Sequence, residues 1–267
     1  QYHVGGNITF ARNELTDYGG TSVLKSGYTS TQQGYYLNSI FGLRYGGKIQ
    51  NEEMLKAYLA KYYPNNGIGM PSNLRVGDNM YCDENGDGVL DYRDYIYLGS
   101  DTPEISYSFN AGASWKGIDF NIVFQGSANR FVYRGIDAWT VPFRSLYTNS
   151  TTSSIGNTWN ETNPNAYYNP YTTDANIVSY NYQANSLTAQ DGRYIRLKNI
   201  TVGYNLPASV LKKLGFVNAV RIYFTGEDLW ESTKITDGWD PEAKRNASDV
   251  SRYPFTRNFT FGLNLTF

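Results

Sequence analysis

The strongest structural signal in this sequence is an unbroken alternation of side-chain character over the 11 residues Ile105–Trp115. One face carries apolar or small side chains: Ile105, Tyr107, Phe109, Ala111, Ala113 and Trp115. The other face carries only polar residues and one glycine: Ser106, Ser108, Asn110, Gly112 and Ser114. Period-two alternation indicates a β-strand with one apolar face, and this length suits a tilted strand that crosses a bilayer.

The same alternation recurs along the chain. Lys116-Gly117 forms a short turn, and the apolar face resumes from Ile118 to Phe124, which predicts a β-hairpin. The other predicted strands are Ile200–Leu206, Val220–Phe224, Phe259–Phe267 and the weaker candidates Asn7–Arg12 and Phe41–Lys48. We therefore expect about seven strands, with the direction of the last candidate unassigned.

Helical signals are few. An apolar stripe predicts one helix over Asn51–Tyr63, and Pro207 is expected to end a strand before one or two helical turns at Ala208–Gly215. No apolar run approaches the roughly 18 residues of a membrane-spanning helix. The strands of a membrane barrel alternate and escape such a search.

The predicted connections differ greatly in length. The turn between Trp115 and Ile118 is very short, whereas residues 127–192 and 226–257 are read as long loops. Compact soluble domains seldom carry such loops, but outer-membrane barrels combine short periplasmic turns with long extracellular loops. We predict an all-β fold, an antiparallel up-and-down membrane β-barrel. A soluble sandwich, whose inner face would be the apolar one, is the less favoured alternative.

Composition bounds the possible functions. The formal net charge of −1 gives no indication of nucleic-acid binding, and one cysteine, Cys82, excludes an intrachain disulfide. The only histidine, His3, lies at the start of the chain, which disfavours a barrel lipase or protease and predicts no catalytic residues. The carboxylates of Asp237, Asp240 and Glu242 lie in a segment with Gly and Pro and are interpreted as solvated turn residues.

An acidic segment, Asp83–Asp94, fits the spacing of a twelve-residue calcium loop. Its candidate ligands are Asp83, Asn85, Asp87, the carbonyl of Val89, Asp91 and Asp94. Gly88 stands where the loop turns sharply, and Asp94 replaces the usual Glu. We expect a structural Ca²⁺ site, with Mg²⁺ as another possible ion. A solvated loop without an ion is the alternative.

Aromatic side chains are concentrated in the first long loop. Trp139 and Trp159 are the candidates for stacking against a substrate. The same side chains could instead pack the loop on itself or against a partner.

Several separate motifs, in order, resemble the SusC-like TonB-dependent transporters, the SusC/RagA family. They are the acidic loop with Tyr97-Leu98-Gly99, the Tyr107–Phe124 hairpin, Arg196–Tyr204 with Leu206-Pro207, Gly226–Leu229, Asp240-Pro241-Glu242 and the closing Phe259–Phe267. The resemblance covers roughly residues 41–267, and the aromatic loop matches nothing particular.

This resemblance implies a plugged barrel of about 22 strands in the outer membrane of Bacteroidetes-type bacteria. About seven strands cannot close it, so residues 1–267 are expected to be its C-terminal part, without the plug. The family implies import of glycans or peptides, a SusD-like surface lipoprotein as lid, and the TonB complex acting on the plug.

Under the same resemblance, the terminal strand would serve as the signal for barrel assembly. Its outward residues are Phe259, Phe261, Leu263, Leu265 and Phe267. The competing functional hypothesis is a calcium-stabilised structural or adhesive β module without transport, which predicts a product that stays in solution without detergent.

Overall fold

The computed structural model describes residues 1–20, 24–28, 30–63, 65–133, 135, 150, 152–236, 238–243 and 255–267. The strands in these residues are β1 (Tyr2–Phe10), β2 (Ser39–Gly42), β3 (Tyr45–Lys48), β4 (Asn79–Tyr81), β5 (Ile96–Ser100), β6 (Ile105–Trp115), β7 (Ile118–Ala128), β8 (Phe131–Val132), β9 (Gln190–Asp191), β10 (Tyr194–Asn205), β11 (Ala219–Thr233) and β12 (Asn258–Thr266). The α-helices are α1 (Glu52–Tyr62), α2 (Ala175–Tyr182) and α3 (Ala208–Leu214).

Six long strands form one antiparallel sheet in the order β1-β6-β7-β10-β11-β12. The β6–β7 hairpin has the register Trp115↔Ile118, as its alternation predicts. Lys116 and Gly117 both have positive φ, 48° and 86°, which matches the twist of a two-residue hairpin turn. The antiparallel all-β prediction is thus confirmed for the principal sheet.

The two faces of this sheet differ chemically. Cross-strand pairing places Trp115, Ile118 and Tyr204 on one face, and Phe224 opposite Phe261 on the same face. Phe261 is 81% exposed and Trp115 69% exposed. A broad exposed apolar surface of this kind indicates contact with lipid or protein. The opposite face is polar, and we call the two the exterior face and the polar face.

All short connections lie at one end of the sheet. The Asn205 amide donates to the Gly117 carbonyl at 2.7 Å, which brings the β10–β11 connection beside the β6–β7 turn. The Asn218 amide donates to Thr266 at 2.7 Å, so the end of β12 lies there too. The long connections leave from the other end, where Phe10 pairs with Ile105. The predicted division into a short-turn end and a long-loop end is confirmed.

The long connections are not structureless, contrary to the sequence-based reading of 127–192. The described residues of connections 11–104 and 129–193 form a folded unit that we call the cap. α1 and α2 pack together there around a buried cluster that includes Leu43, Ile49, Leu90 and Tyr180. Burial of these side chains gives the cap its own core, which short apolar stretches without long-range periodicity did not reveal.

Two strand boundaries also differ from expectation. Phe41–Lys48 is not one strand of the principal sheet; it is split between β2, paired with β5, and β3, paired with β4. Gly42 approaches the Ala184 backbone so closely that a Cβ would lie 2.1 Å from its carbonyl oxygen. The second long loop begins after Thr233 rather than at residue 226, because β11 continues in pairing with β10 up to Tyr194.

The predicted helices are confirmed. The Asn51 side chain caps α1 by accepting from the Met54 amide at 2.8 Å, and Lys61 lies in its last turn. α3 follows Pro207 and ends at Gly215, whose φ is 72°. None of the helices in the described part of the chain is long and apolar enough to cross a membrane.

Candidate functional site

The polar face carries a buried ionic cluster near the cap, centred on Arg196. Its side chain is 0% exposed and its guanidinium pairs with both Glu231 and Asp240. The Arg196 Nη1 atom also lies 3.0 Å from a carboxylate oxygen of Glu242. Arg196 and Glu231 are cross-strand partners, whereas Asp240 and Glu242 come from the connection after β11. A planar guanidinium can engage several carboxylates at once, so Arg196 anchors this connection to the sheet.

Lys198 extends the same cluster. Its ammonium lies 3.1 Å from Asp228 and 3.0 Å from Glu242. The register of β10 shifts between Leu197 and Asn199, so a bulge positions Lys198 for these contacts. The ring of Phe255 lies 4.2 Å from the Arg196 guanidinium carbon and 5.4 Å from the Lys198 ammonium. The residues on both sides of 244–254 therefore meet at the cluster.

This cluster corrects the interpretation of Asp240 and Glu242 as solvated turn residues. Their side chains are only 12% and 26% exposed and form ion pairs. Asp237 lies outside the described residues. Spacing along the sequence could not reveal these contacts, because Asp240 lies 44 residues from Arg196 and Glu242 lies 44 residues from Lys198. The sequence feature that could have indicated this cluster is the presence of two cations, Arg196 and Lys198, in a strand-like segment. A buried charge on a strand requires a partner of opposite charge.

A second ion pair crosses the polar face near the short-turn end. The Arg221 Nε of β11 donates to Asp119 of β7 at 3.1 Å, and Asn205 also donates to Asp119 at 3.2 Å. The pair passes over Gly203 of the intervening strand β10. A Cβ there would lie 2.5 Å from the guanidinium and 2.6 Å from the carboxylate. Glycine is therefore required for the two strands to interact across a third.

The cap contains a buried polar centre around Asn79. The Asn79 amide donates to the Asn181 side chain at 2.9 Å, and Lys48 donates to the Asn79 side-chain oxygen at 3.2 Å. Asn169 also donates to that oxygen, at 2.8 Å. Burial lowers the pKa of Lys48 to about 8, against the opposing influence of the nearby Asp78 carboxylate. Burial likewise raises the pKa of Asp78, so desolvation dominates for both groups.

Three tyrosines connect α1, β4 and α2. The hydroxyls of Tyr58 and Tyr180 are 2.9 Å apart, and Tyr81 donates to the Tyr180 carbonyl at 2.7 Å. Tyr58 also accepts from the Tyr81 amide at 2.9 Å. Burial raises the pKa of Tyr58 to about 12, so these hydroxyls stay neutral and act as hydrogen-bonding groups. This network makes the two connections of the cap into one unit.

The acidic loop is folded by its own carboxylates. Asp83 accepts from the amides of Gly86 at 2.7 Å and Gly88 at 2.8 Å, and Gly88 has φ of 80° as the sharp turn requires. The buried Asp94 accepts from the amides of Glu84 and Asp91, each at 2.9 Å. These are Asx-type contacts that organise a loop whether or not an ion is bound.

Arg93 lies against two of the candidate ligands. Its guanidinium is 2.9 Å from Asp87 and 2.8 Å from Asp91, and it lowers the pKa of the Asp91 carboxyl. Asn85 donates to Asp87 at 3.2 Å, and the Val89 amide bonds to Asp87 at 2.9 Å. Within the described ranges, no three acidic, histidine or cysteine groups are disposed to hold a metal ion. The oxygen ligands are thus of the right kind, but in this arrangement a guanidinium competes for two of them.

Trp159 lies in the cap, and Trp139 lies outside the described residues. The Trp159 ring packs where a Cβ on Gly77 would be 2.6 Å away, beside Pro170. Its indole nitrogen is buried and has no hydrogen-bond partner among the residues that the structure describes. Packing within the cap is sufficient to explain a tryptophan at position 159. The role of Trp159 as a substrate-stacking residue stays a prediction.

The closing strand β12 forms one edge of the sheet. Phe261 pairs with Phe224 and Leu263 with Ile222, and the predicted outward residues share the exterior face: Phe259, Phe261, Leu263 and Leu265. Phe267 follows the strand and stacks on Phe216 with ring centroids 6.3 Å apart. On the polar face, the Tyr223 ring covers Gly262. The facial assignment of the strand is confirmed, while its role in barrel assembly stays a prediction.

Most of this chain aligns in sequence with relatives that carry names. It is 30% identical to TonB-dependent receptor P3 of Formosa agariphila over 88% of the chain and 23% of that receptor. It is 28% identical to TonB-dependent receptor P26 of the same organism, over 96% of the chain and 26% of the receptor. TonB-dependent receptor SusC of Bacteroides thetaiotaomicron is 24% identical over 98% of the chain and 24% of SusC. Over most of its length the chain is thus homologous to TonB-dependent receptors, SusC among them.

The fold agrees with this family. A chain of the solved RagAB peptide transporter has a TM-score of 0.64 and 20% identity over 100% of this chain and 27% of its own length. No protein-family model matches the sequence. The chain spans about a quarter of the length of these relatives. The six-stranded sheet is therefore part of an outer-membrane barrel, with its exterior face toward lipid and its polar face toward the lumen.

Proposed function

We propose that this SusC-like segment supplies barrel wall and extracellular cap to a receptor that imports a glycan or an oligopeptide across the outer membrane, driven by TonB. The observation that carries the proposal is similarity to named TonB-dependent receptors over nearly the whole chain. The sheet supports it, because one end carries only short turns and the other carries a folded cap. The proposed role is passage and recognition, without catalysis.

The luminal ionic cluster has a mechanical role in the proposed import. Arg196 and Lys198 hold the Asp240-Pro241-Glu242 segment against the luminal side of the wall. A fixed loop at the lumen entrance can position substrate, whereas a loose loop cannot. We propose that the cap also contacts a SusD-like surface lipoprotein, which the RagAB resemblance supports.

Import is tested with the complete receptor in a host that lacks its own copy. Growth on single glycans or defined peptides should require the receptor, and loss of the TonB complex should abolish it. Arg196→Gln should reduce uptake while the receptor still reaches the outer membrane, because the loop loses its anchor. Arg12→Gln is the matched control, since its side chain is 73% exposed in a pair of 3.7 Å with Glu104.

Two results would refute parts of this proposal. Receptor-independent growth on every glycan and peptide tested would reject import of these classes. A tagged receptor that never copurifies with a SusD-like lipoprotein under mild detergent would reject the lid. A product that remains monomeric in detergent-free buffer would favour the adhesive module instead.

We also propose a structural Ca²⁺ ion at Asp83–Asp94, supported by the donor types and by the glycine turn at Gly88. Binding would require Arg93 to leave Asp87 and Asp91. Arg93→Gln should therefore tighten calcium binding measured by calorimetry, whereas Asp87→Asn should weaken it. Absence of a binding isotherm in both the wild type and Arg93→Gln would reject the site.

A further inference from the structure

The exterior face contains an apolar groove below the cap that crosses several strands. Its volume is about 620 Å³, and its lining residues are Phe109, Phe124, Ile195, Leu197 and Trp230. The rings of Phe124 and Trp230 meet edge to face with centroids 6.4 Å apart. The bulge of β10 after Leu197 interrupts the regular rows of side chains beside it.

A glycine beside this groove accommodates an aromatic ring. Gly126 faces outward between Phe124 and Ala128, and the Tyr107 ring lies over it. A Cβ at Gly126 would lie 2.5 Å from that ring, so no other residue fits beneath it. The Tyr107 hydroxyl donates to the Tyr194 carbonyl at 3.1 Å, which fixes the ring. Tyr107 is thus held in a fixed position, where it lines a second, smaller cavity.

A smaller cavity of about 170 Å³ continues from the groove toward the cap and shares Ile195 with it. Its lining includes Arg193 and Lys234. Ile195 lies on the exterior face, opposite Gly126. Arg193 directly precedes β10 and Lys234 directly follows β11, and both line the same cavity as Ile195. Two basic side chains therefore lie at the end of an apolar groove on the lipid-facing surface.

The two cations have different surroundings. Arg193 forms an ion pair with Asp191, which holds its guanidinium in place. Lys234 is exposed, and its ammonium has no ion-pair partner among the residues that the structure describes. One positive charge is therefore left uncompensated at this point. An anion held there would add a charge-assisted contact.

We propose that this surface binds a net-anionic acyl lipid of the outer leaflet, with an acyl chain in the groove and its head-group phosphate at Lys234 and Arg193. The depth is consistent, because the groove lies within the apolar zone and the two cations lie next to the polar cap. Basic residues at the edge of a membrane segment favour anionic head groups, and an apolar groove favours acyl chains. The site is independent of what the receptor imports.

The test is native mass spectrometry of the complete receptor in detergent. It is titrated with phosphatidylglycerol and with phosphatidylcholine of identical acyl chains. Phosphatidylglycerol should bind more tightly, and Lys234→Gln should weaken its binding about fivefold, as expected for one lost interfacial charge. Binding of phosphatidylcholine should not change in that variant. Lys116→Gln is the control, since its ammonium lies at the other end of the sheet, over Trp115.

The groove is tested separately from the charge. Leu197→Phe fills it without removing apolar surface and should weaken binding of both lipids. Trp230→Ala should also weaken binding of both lipids, because it removes one wall of the groove. If Trp230→Ala does not fold, Leu197→Phe still tests the groove. Equal affinity of the wild type for the two lipids would overturn the proposal. So would an equal loss of phosphatidylglycerol binding in Lys116→Gln and Lys234→Gln.

Discussion

At the scale of single residues, the luminal face depends on glycines that let charged side chains pass over a strand. Gly203 lets Asp119 and Arg221 meet over its strand, because its own side-chain position is empty. Gly203→Ala should therefore displace the pair and cost about 1–3 kcal/mol in stability, as overpacking usually does. Loss of heat resistance of the folded barrel on gels measures it. Gly20→Ala is the control, because its nearest atom to a new Cβ is 3.9 Å away; equal effects of the two would contradict the argument.

Lys48 gives the cap a pH dependence. Its pKa is about 8 in the folded state, below the ordinary lysine value of 10.5, because burial disfavours the ammonium. The unfolded cap then binds more protons between these two values, so stability contributed at this site rises from pH 8 toward pH 10 and is lowest below pH 8. Lys48→Met should stabilise the cap at pH 7, and this gain should shrink by pH 9.

The measurement for Lys48 is hydrogen exchange of α1 amides at each pH, with intrinsic exchange rates corrected. The Asn79 side chain keeps its bond from Asn169 in the variant, so it is not left unsatisfied. Lys61→Met is the control, since this lysine lies on the surface side of the last turn of α1. A gain in protection that is the same at pH 7 and pH 9 would exclude Lys48 titration as the cause.

At the scale of elements, the strands were predictable wherever one face meets lipid and the other meets the lumen. The strand Ile105–Trp115 has the predicted bounds, because the polarity of each side chain matches the environment of the face on which it lies. β11 was predicted too short, since its part nearer the cap carries Asp228 and Glu231, which form ion pairs on the luminal face. β2 and β3 were misread as one strand of the principal sheet, because β2 is buried at every residue inside the cap and has neither a lipid face nor a lumen face.

The exterior position of β12 makes a quantitative prediction. Phe261 is opposite Phe224 and faces lipid, so Phe261→Arg should cost about 2–4 kcal/mol if the residue lies near the bilayer midplane. Urea unfolding of the barrel in lipid vesicles measures the change. Thr260→Arg places the same side chain one residue away on the luminal face and should cost much less. Similar losses in both variants would contradict the assignment of the faces.

At the scale of the whole molecule, the wall could be predicted from the sequence and the cap could not. The wall repeats one local pattern, whereas the cap joins residues that are about 100 positions apart, such as Asn79 with Asn181. The candidate sites divide in the same way. The acidic loop was recognisable because its residues are contiguous, while the Arg196 cluster required the pairing of β10 with β11 and the return of residues 240–242.

The Arg130 side chain links its own connection to two other long connections. A substitution at Arg130 therefore tests whether the cap and the luminal loop behave as one rigid body. Its guanidinium donates to the Asp101 carboxylate at 2.9 Å and 3.1 Å, and its Nη1 atom donates to the Pro241 carbonyl. Lysine cannot make both contacts at once, because it lacks the planar fork. Arg130→Lys should therefore speed hydrogen exchange at residues 238–243, while the strands keep their protection.

The matched control for this prediction is Arg12→Lys, which alters an exposed pair of 3.7 Å at the same end of the sheet. It should leave exchange at 238–243 unchanged, because surface pairs contribute little. If Arg130→Lys also leaves that segment protected, the Arg196 cluster alone holds the loop. The cap and the luminal loop would then be independently attached to the barrel, and a change in the cap could not reach the lumen through Arg130.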